Sequence, residues 1–178
     1  MKKLFSHFLF LIPLLLSAQA DENLINWESG RRLNWDDFKA TPLKNSGAAA
    51  LTATHLGFSY NFKNGKISYT IECGFEKDKS WGLVKNDWIL KHEQGHFDIA
   101  EIFARKLFMA ISEYPFNKKT FESDLDKIYN TVIAEKETFQ QQYDDETDNS
   151  INKSEQEQWL KKIAGLLSEY KSWVGYKL

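Results

Sequence analysis

The hydrophobic period of this chain changes once, and that change limits the folds open to it. Residues Ala48 to Phe75, "AAALTATHLGFSYNFKNGKISYTIECGF", hold two alternating segments rich in Thr, Tyr, Ile and Phe around Asn64-Gly65. That dipeptide favours a two-residue hairpin turn, so the stretch predicts two paired strands. After the break at "EKDKSWG", apolar residues recur at helical spacing from about Asn86 to Tyr114, and Pro115 ends the pattern. Two further helical patterns follow, at about Thr120 to Tyr143 and Ser154 to Trp173, the second with Ser154 as N-cap and Glu157 three residues on. Strands first and helices afterwards predict an α+β domain in which a small antiparallel sheet packs on helices. Upstream, "NWESGRRLNWDDFKATP" at Asn26 to Pro42 alternates around Ser29-Gly30 and reads as a short hairpin leading into an irregular turn at Trp35 to Phe38. The polar run "QQQYDDETDNSINKSEQEQ" reads as the loop between the last two helices and their frayed ends.

The first twenty residues stand apart from this plan. Lys2 and Lys3 make a basic start, Leu4 to Leu16 form a short apolar run broken by Pro13, and Ala18-Gln19-Ala20 has the small-x-small form of a signal-peptidase site. Export with cleavage before Asp21 is expected, to the periplasm or the outside. The apolar run is shorter than the roughly 20 residues of a spanning helix, and no other segment qualifies, so no membrane span is expected after cleavage. Removing residues 1–20 from 178 leaves 158, enough for one domain over 21–178 with its own core. The charge moves from −2 to −4 because two lysines leave with the segment, which provides no electrostatic footprint for nucleic acid. Cys73 is the only cysteine, so no internal disulfide is available and the core, or a metal, must hold the chain together.

A metal is suggested by "ILKHEQGHFDIAEIFARKL" at Ile89 to Leu107, which contains His92, Glu93 and His96 as H-E-x-x-H on the first long helix. At about 100° per residue the two histidines lie roughly 40° apart, with Cβ atoms about 5–6 Å from one another. That separation lets both imidazoles reach one zinc at about 2.0–2.1 Å. Glu93 lies on the flank of the same face, where it could reach a water without displacing a ligand. Ile89, Ile99, Ala100, Phe103 and Leu107 share the histidine side, and Lys91, Gln94, Asp98, Glu101 and Arg105 fall on the other. The histidines are therefore expected to point inward. A structural histidine pair is the alternative, but two histidines at this spacing with a glutamate between them favour metal binding, in a zincin-like arrangement.

A catalytic zinc needs a third protein ligand and an open position. Glu101 points away from a continuous helix's metal side and is expected to pair with Arg105, an exposed i,i+4 contact worth a few tenths of a kcal/mol, roughly. The glycine bend that brings a third histidine to a metzincin site is missing, because Ile99 stands there. His55 could reach the site only if its strand runs beside the motif helix. The acidic segment "YDDETDN" at Tyr143 to Asn149 is a stronger source of the ligand, although a solvated acid cluster would look the same. Trp35, Trp81 and Trp88 could line a cleft, and packing is the more ordinary role for aromatic residues at element ends.

Three segments together, "LNWDDF" at Leu33 to Phe38, "LKHEQGHFDIAEIFARKL" at Leu90 to Leu107, and "YDDETDNS" followed by "EQEQW" at Tyr143 to Trp159, resemble a bacterial family of unknown function labelled predicted secreted zinc-dependent proteases. The resemblance implies an exported metallopeptidase-like domain with His92 and His96 as metal ligands and Glu93 as catalytic acid/base. In that family the acidic segment reads tyrosine-aspartate, then threonine, any residue, histidine. Tyr143, Asp144 and Thr147 match, while Asn149 takes the histidine position and Ala40 stands where a glycine is expected after "DFK". A site without that histidine is impaired or uses another residue, and Asp144 is the first candidate, with Glu146 next. The expected activity is zinc-dependent hydrolysis of a peptide or protein substrate, with the cell envelope as a candidate location. The alternative is an envelope binding or structural module with a structural or decayed metal site. The sequence names neither the substrate nor the oligomeric state.

Overall fold

The computed structural model describes residues 22–43, 45–64 and 66–177. The expected signal segment and the expected cleavage point before Asp21 lie outside these residues, as does Gly65. The architecture is α+β: a three-stranded antiparallel sheet, a two-stranded one, and three long helices.

The central hairpin pairs β3 (Thr54–Lys63) with β4 (Lys66–Glu76), and Asn64 enters its turn with φ 54°. Its register sets Leu56 opposite Cys73, Phe58 opposite Ile71, Tyr60 opposite Tyr69 and Phe62 opposite Ile67. Because side chains alternate with period 2, all eight share one face, against the helices. The same parity sends His55 to the other face, where Nε2 lies 3.7 Å from Glu72 Oε2.

β1 (Leu24–Asn26) pairs with β4 rather than with a strand of its own. The hairpin expected around Ser29-Gly30 is therefore absent from the described residues: Gly30 turns the chain at φ 91°, and residues 27–38 lie over the first helix. A short 3-10 turn at Trp35–Asp37 matches the expected irregular turn, capped by Asn34, which accepts from Asp36 N at 2.9 Å. β2 (Ala50–Leu51) pairs with β5 (Trp81–Gly82).

Helix α1 (Asp87–Ser112) starts at Asn86, whose side chain accepts from Ile89 N. It is buried almost all the way round, which corrects the expected two-faced helix. Gln94, Asp98, Glu101 and Arg105, assigned to the outer side, are all buried, while Lys91 is exposed. A helical wheel shows which residues share a face but not how many faces the fold will cover. Here Trp27 donates Nε1–H to Asp98 at 2.8 Å, Leu33 N donates to Gln94 Oε1 at 2.8 Å, and Tyr176 donates to Glu101. Gln94, Asp98 and Glu101 thus each have a partner, as burial requires.

Helix α2 (Phe121–Thr147) runs four residues past the expected end and absorbs most of the acidic segment. Acids at a helix C-terminus oppose its dipole, so local preference argues for stopping earlier. Packing overrides it: Tyr143 and Thr147, one turn apart, are fully buried, and Thr147 Oγ1 donates to Tyr143 O at 2.7 Å. The expected loop shrinks accordingly, because α3 (Lys153–Glu169) follows within a few residues. Its N-cap is Asn152, accepting from Glu155 N at 3.3 Å, rather than Ser154. Two 3-10 turns at Lys171–Trp173 and Gly175–Lys177 follow α3, which ends before the expected Trp173.

Candidate metal centre

The H-E-x-x-H residues occupy the second and third turns of α1, and α2 crosses beside them. The spacing puts His92 Nε2 3.1 Å from His96 Nε2, and the rings meet edge to face at 4.8 Å between centroids. From α2, Asp144 Oδ1 lies 3.0 Å from His92 Nε2 and 2.9 Å from His96 Nε2. His92, His96 and Asp144 form the metal-capable group among the described residues. Glu146, the next candidate, is turned elsewhere: it accepts from Trp159 Nε1 at 2.7 Å and from Gln142. His55 is held on the far face of the sheet by the strand's parity.

Three buried or half-buried features fix this geometry, and of these neither Gln140 nor Gly95 was singled out in the sequence. Gln140, one turn before Asp144 on α2, accepts from His96 Nδ1–H through Oε1. Its amide orientation follows from its other contact, since Nε2 donates to His96 O at 3.0 Å. In the neutral ring a proton on Nδ1 leaves Nε2 of His96 with a lone pair, the arrangement that metal-ligating histidines need, whereas in the protonated ring Nε2–H donates to Asp144. Tyr143 stacks on His92 at 4.5 Å and meets His96 edge-on at 5.0 Å. Gly95 gives that ring its room, because a Cβ there would stand 2.5 Å from Tyr143 Oη. The usable signals were a glycine inside a strongly helical pattern and the i,i+4 spacing of Gln140 and Asp144.

The donor set suits a divalent metal. For ligands at about 2.0–2.1 Å in a tetrahedral site, neighbouring ligand atoms lie about 3.3 Å apart, close to the 2.9–3.1 Å triangle here. His92 Nδ1 is buried without a hydrogen-bond partner among the described residues, so stacking against Tyr143 holds that ring. Burial opposes charge on His96, but the hydrogen bond and charge of Asp144, with Glu93 and Gln140 behind them, raise its pKa above the ordinary histidine value. Burial likewise opposes ionisation of Asp144, and hydrogen bonds from both histidines overcome it and hold the carboxyl well below its usual range. Burial, with Glu93, Asp144 and Asp98 nearby, pushes the Tyr143 phenol far up, so it stays neutral.

The group opens into a cleft of about 440 Å³. One wall is the small-residue segment 48–54, and the other is formed by α1 and α2 with Asn149 and Ser150. Glu93 is buried and lines this cleft, and so does Asn149. Asp148, Asn149 and Ser150 have φ of 49°, 48° and 77°, a run of left-handed residues that reverses the chain at the lip. None of Trp35, Trp81 and Trp88 lines the cleft: Trp81 is buried, Trp35 packs on Phe38 at 4.9 Å, and Trp88 donates Nε1–H to Ser150 O at 2.8 Å.

The three quoted sequence segments converge here. "LNWDDF" docks behind the motif through Leu33 N and Gln94, and Trp159 of "EQEQW" packs on Tyr143 at 5.4 Å. A family model described as "Bacterial protein of unknown function (DUF922)" matches residues 28–151, more than half of the chain. The chain belongs to the DUF922 family. The matched span covers β2 to β5, α1, α2 and the turn after it, and so includes every residue of the DUF922 chain's metal-capable group. No curated protein and no solved structure matches it.

Proposed function

We propose that this DUF922 protein is an exported, zincin-like, zinc-dependent peptidase. The observation that supports it best is the convergence of His92, His96 and Asp144 at the floor of an open cleft that Glu93 also lines. A closed tetrahedral set would favour a structural metal. Here one carboxylate joins the histidines, Glu146 is engaged with Trp159, and the remaining side faces the cleft. His92, His96 and Asp144 are the proposed ligands, so the missing family histidine at Asn149 does not by itself disable the site.

When bound, zinc would supply Lewis acidity and lower the pKa of a water toward neutrality. Glu93, which lines the cleft beside His92 and His96, would accept the proton of a water whose oxygen adds to the peptide carbonyl carbon, and would return it to the amine nitrogen as the C–N bond breaks. Gln140 keeps the proton of His96 on Nδ1, while Tyr143 and Gly95 keep both rings in place. Export agrees with the basic, apolar, small-x-small start of the sequence, and no described helix is long and apolar enough to cross a membrane.

The test uses residues 21–178 with zinc stoichiometry and turnover of casein and peptide libraries, compared with Glu93→Gln. Zinc retained and turnover reduced about 10²–10⁴-fold in the variant is the expected result. Zinc bound without any Glu93-dependent turnover would return the reading to an envelope binding module. Absence of zinc from both proteins would remove the metal centre itself.

A further inference from the structure

Resting on the reading of this cleft as a peptide-binding site, we infer that Lys136 selects peptides carrying a carboxylate beside the hydrolysed bond. Lys136 lies on the face of α2 that carries Gln140 and Asp144, one and two turns before them. At about 1.5 Å rise per residue, it stands roughly 12 Å along the helix from Asp144, and its own side chain shortens that reach. It is the one lysine or arginine among the described residues lining the cleft, beside Glu93, Glu137 and Asp144.

A lysine only 5 % exposed is unusual, because a buried ammonium needs a compensating negative charge. The partner here is Glu137 Oε1 at 2.8 Å, on a side chain 64 % exposed. The charge of Lys136 is thus directed at the cleft while its counter-ion stands in solvent, where an ion pair contributes little. An incoming carboxylate can replace Glu137 at small cost, and Glu137 then swings into water. The wall formed by residues 48–54 adds Thr52 Oγ1, buried and without a hydrogen-bond partner among the described residues. That wall is otherwise largely alanine, which leaves room for a peptide between it and Lys136.

The carboxylate can belong to an aspartate or glutamate side chain or to a peptide C-terminus, and four fluorescein-labelled octapeptide pools separate the two. The pools carry Glu or Gln at each internal position in an Ala/Gly background, each made with a free or an amidated C-terminus. Their equilibrium binding to the zinc-loaded full mature chain is measured by anisotropy. Either Glu over Gln, or free acid over amide, is expected to bind at least ten-fold more tightly, which names the source. That preference should fall below two-fold in Lys136→Met, persist in Lys136→Arg, and grow in exposed Glu137→Gln, which removes the competing carboxylate. Equal binding of all pools, no binding of any, or a preference unchanged in Lys136→Met and Glu137→Gln overturns the inference. Hydrolysis of the pools is scored separately. A carboxylate preference without hydrolysis supports the Lys136 site and counts against the peptidase, whereas hydrolysis without preference does the reverse.

Discussion

A Cβ on Gly95 would stand 2.5 Å from the hydroxyl oxygen of Tyr143, so the one glycine within the metal motif exists to admit a ring from another helix. Alanine at a helix-interior glycine ordinarily stabilises by about 0.5–1 kcal/mol. Overpacking a filled site costs about 1–3 kcal/mol, and here the obstacle is a fully buried aromatic ring. Gly95→Ala is therefore expected to destabilise by roughly 1 kcal/mol or more and to weaken zinc binding, because Tyr143 precedes Asp144. Denaturant unfolding and a zinc titration check this, and a more stable variant would contradict the packing.

Gln140→Leu keeps the volume and removes both contacts to His96. Loss of such a supporting contact lowers metal affinity by about 10–100-fold. Competition with a chromophoric chelator measures it. Glu146→Gln is the matched control: its carboxylate is spent on Trp159 and Gln142, so affinity should change little.

The charges of His96 and Asp144 give the metal-free protein a signed pH dependence. His96 has a pKa raised above 6.5 in the fold, so its contribution is complete below 6.5 and disappears as pH rises through the raised value. Asp144 is depressed below 3.8, so its contribution is complete above 3.8 and disappears as pH falls through the depressed value. With chelator present, the pair contributes most between those two reference values. Zinc requires a neutral His96, so affinity should instead climb as pH passes above 6.5. Unfolding midpoints from pH 3 to 9, with and without zinc, should diverge most at the alkaline end.

Arg105 and Glu101 form the expected i,i+4 pair at 2.9 Å, but in the interior rather than at the surface. Glu101 is 0 % exposed and also accepts from Tyr176, and Arg105 donates to Leu167 O at 2.6 Å. Removing one partner of a buried pair costs about 3–5 kcal/mol, against a few tenths for an exposed helix pair. Arg105→Met should fall near the larger figure in a denaturant titration.

Residues whose partners are near in sequence were legible beforehand. The hairpin through Asn64, the helix starting at Asn86 and the shared face of His92 and His96 follow from periods of 2 and 3.6 and from turn and cap chemistry. Asp144 was named as first candidate from its place in an acidic segment, although that segment was expected in the loop after the helix and is helical through Thr147. Gln140 gave no comparable sign, since glutamine on a helix is ordinary until its neighbour is known.

The sequence alone determined the central hairpin, the three long helices after it and the histidine pair, because each depends on steric rules acting over a few residues. Only the tertiary structure decided that Asp144 meets His92 across 52 residues, that Gln94 and Glu101 are buried, and that α2 continues through Thr147. Those outcomes depend on which apolar surfaces cover one another. Burying Tyr143 between Gly95 and Trp159 outweighs the local preference of an acidic helix end, and the same burial carries Asp144 to the histidines.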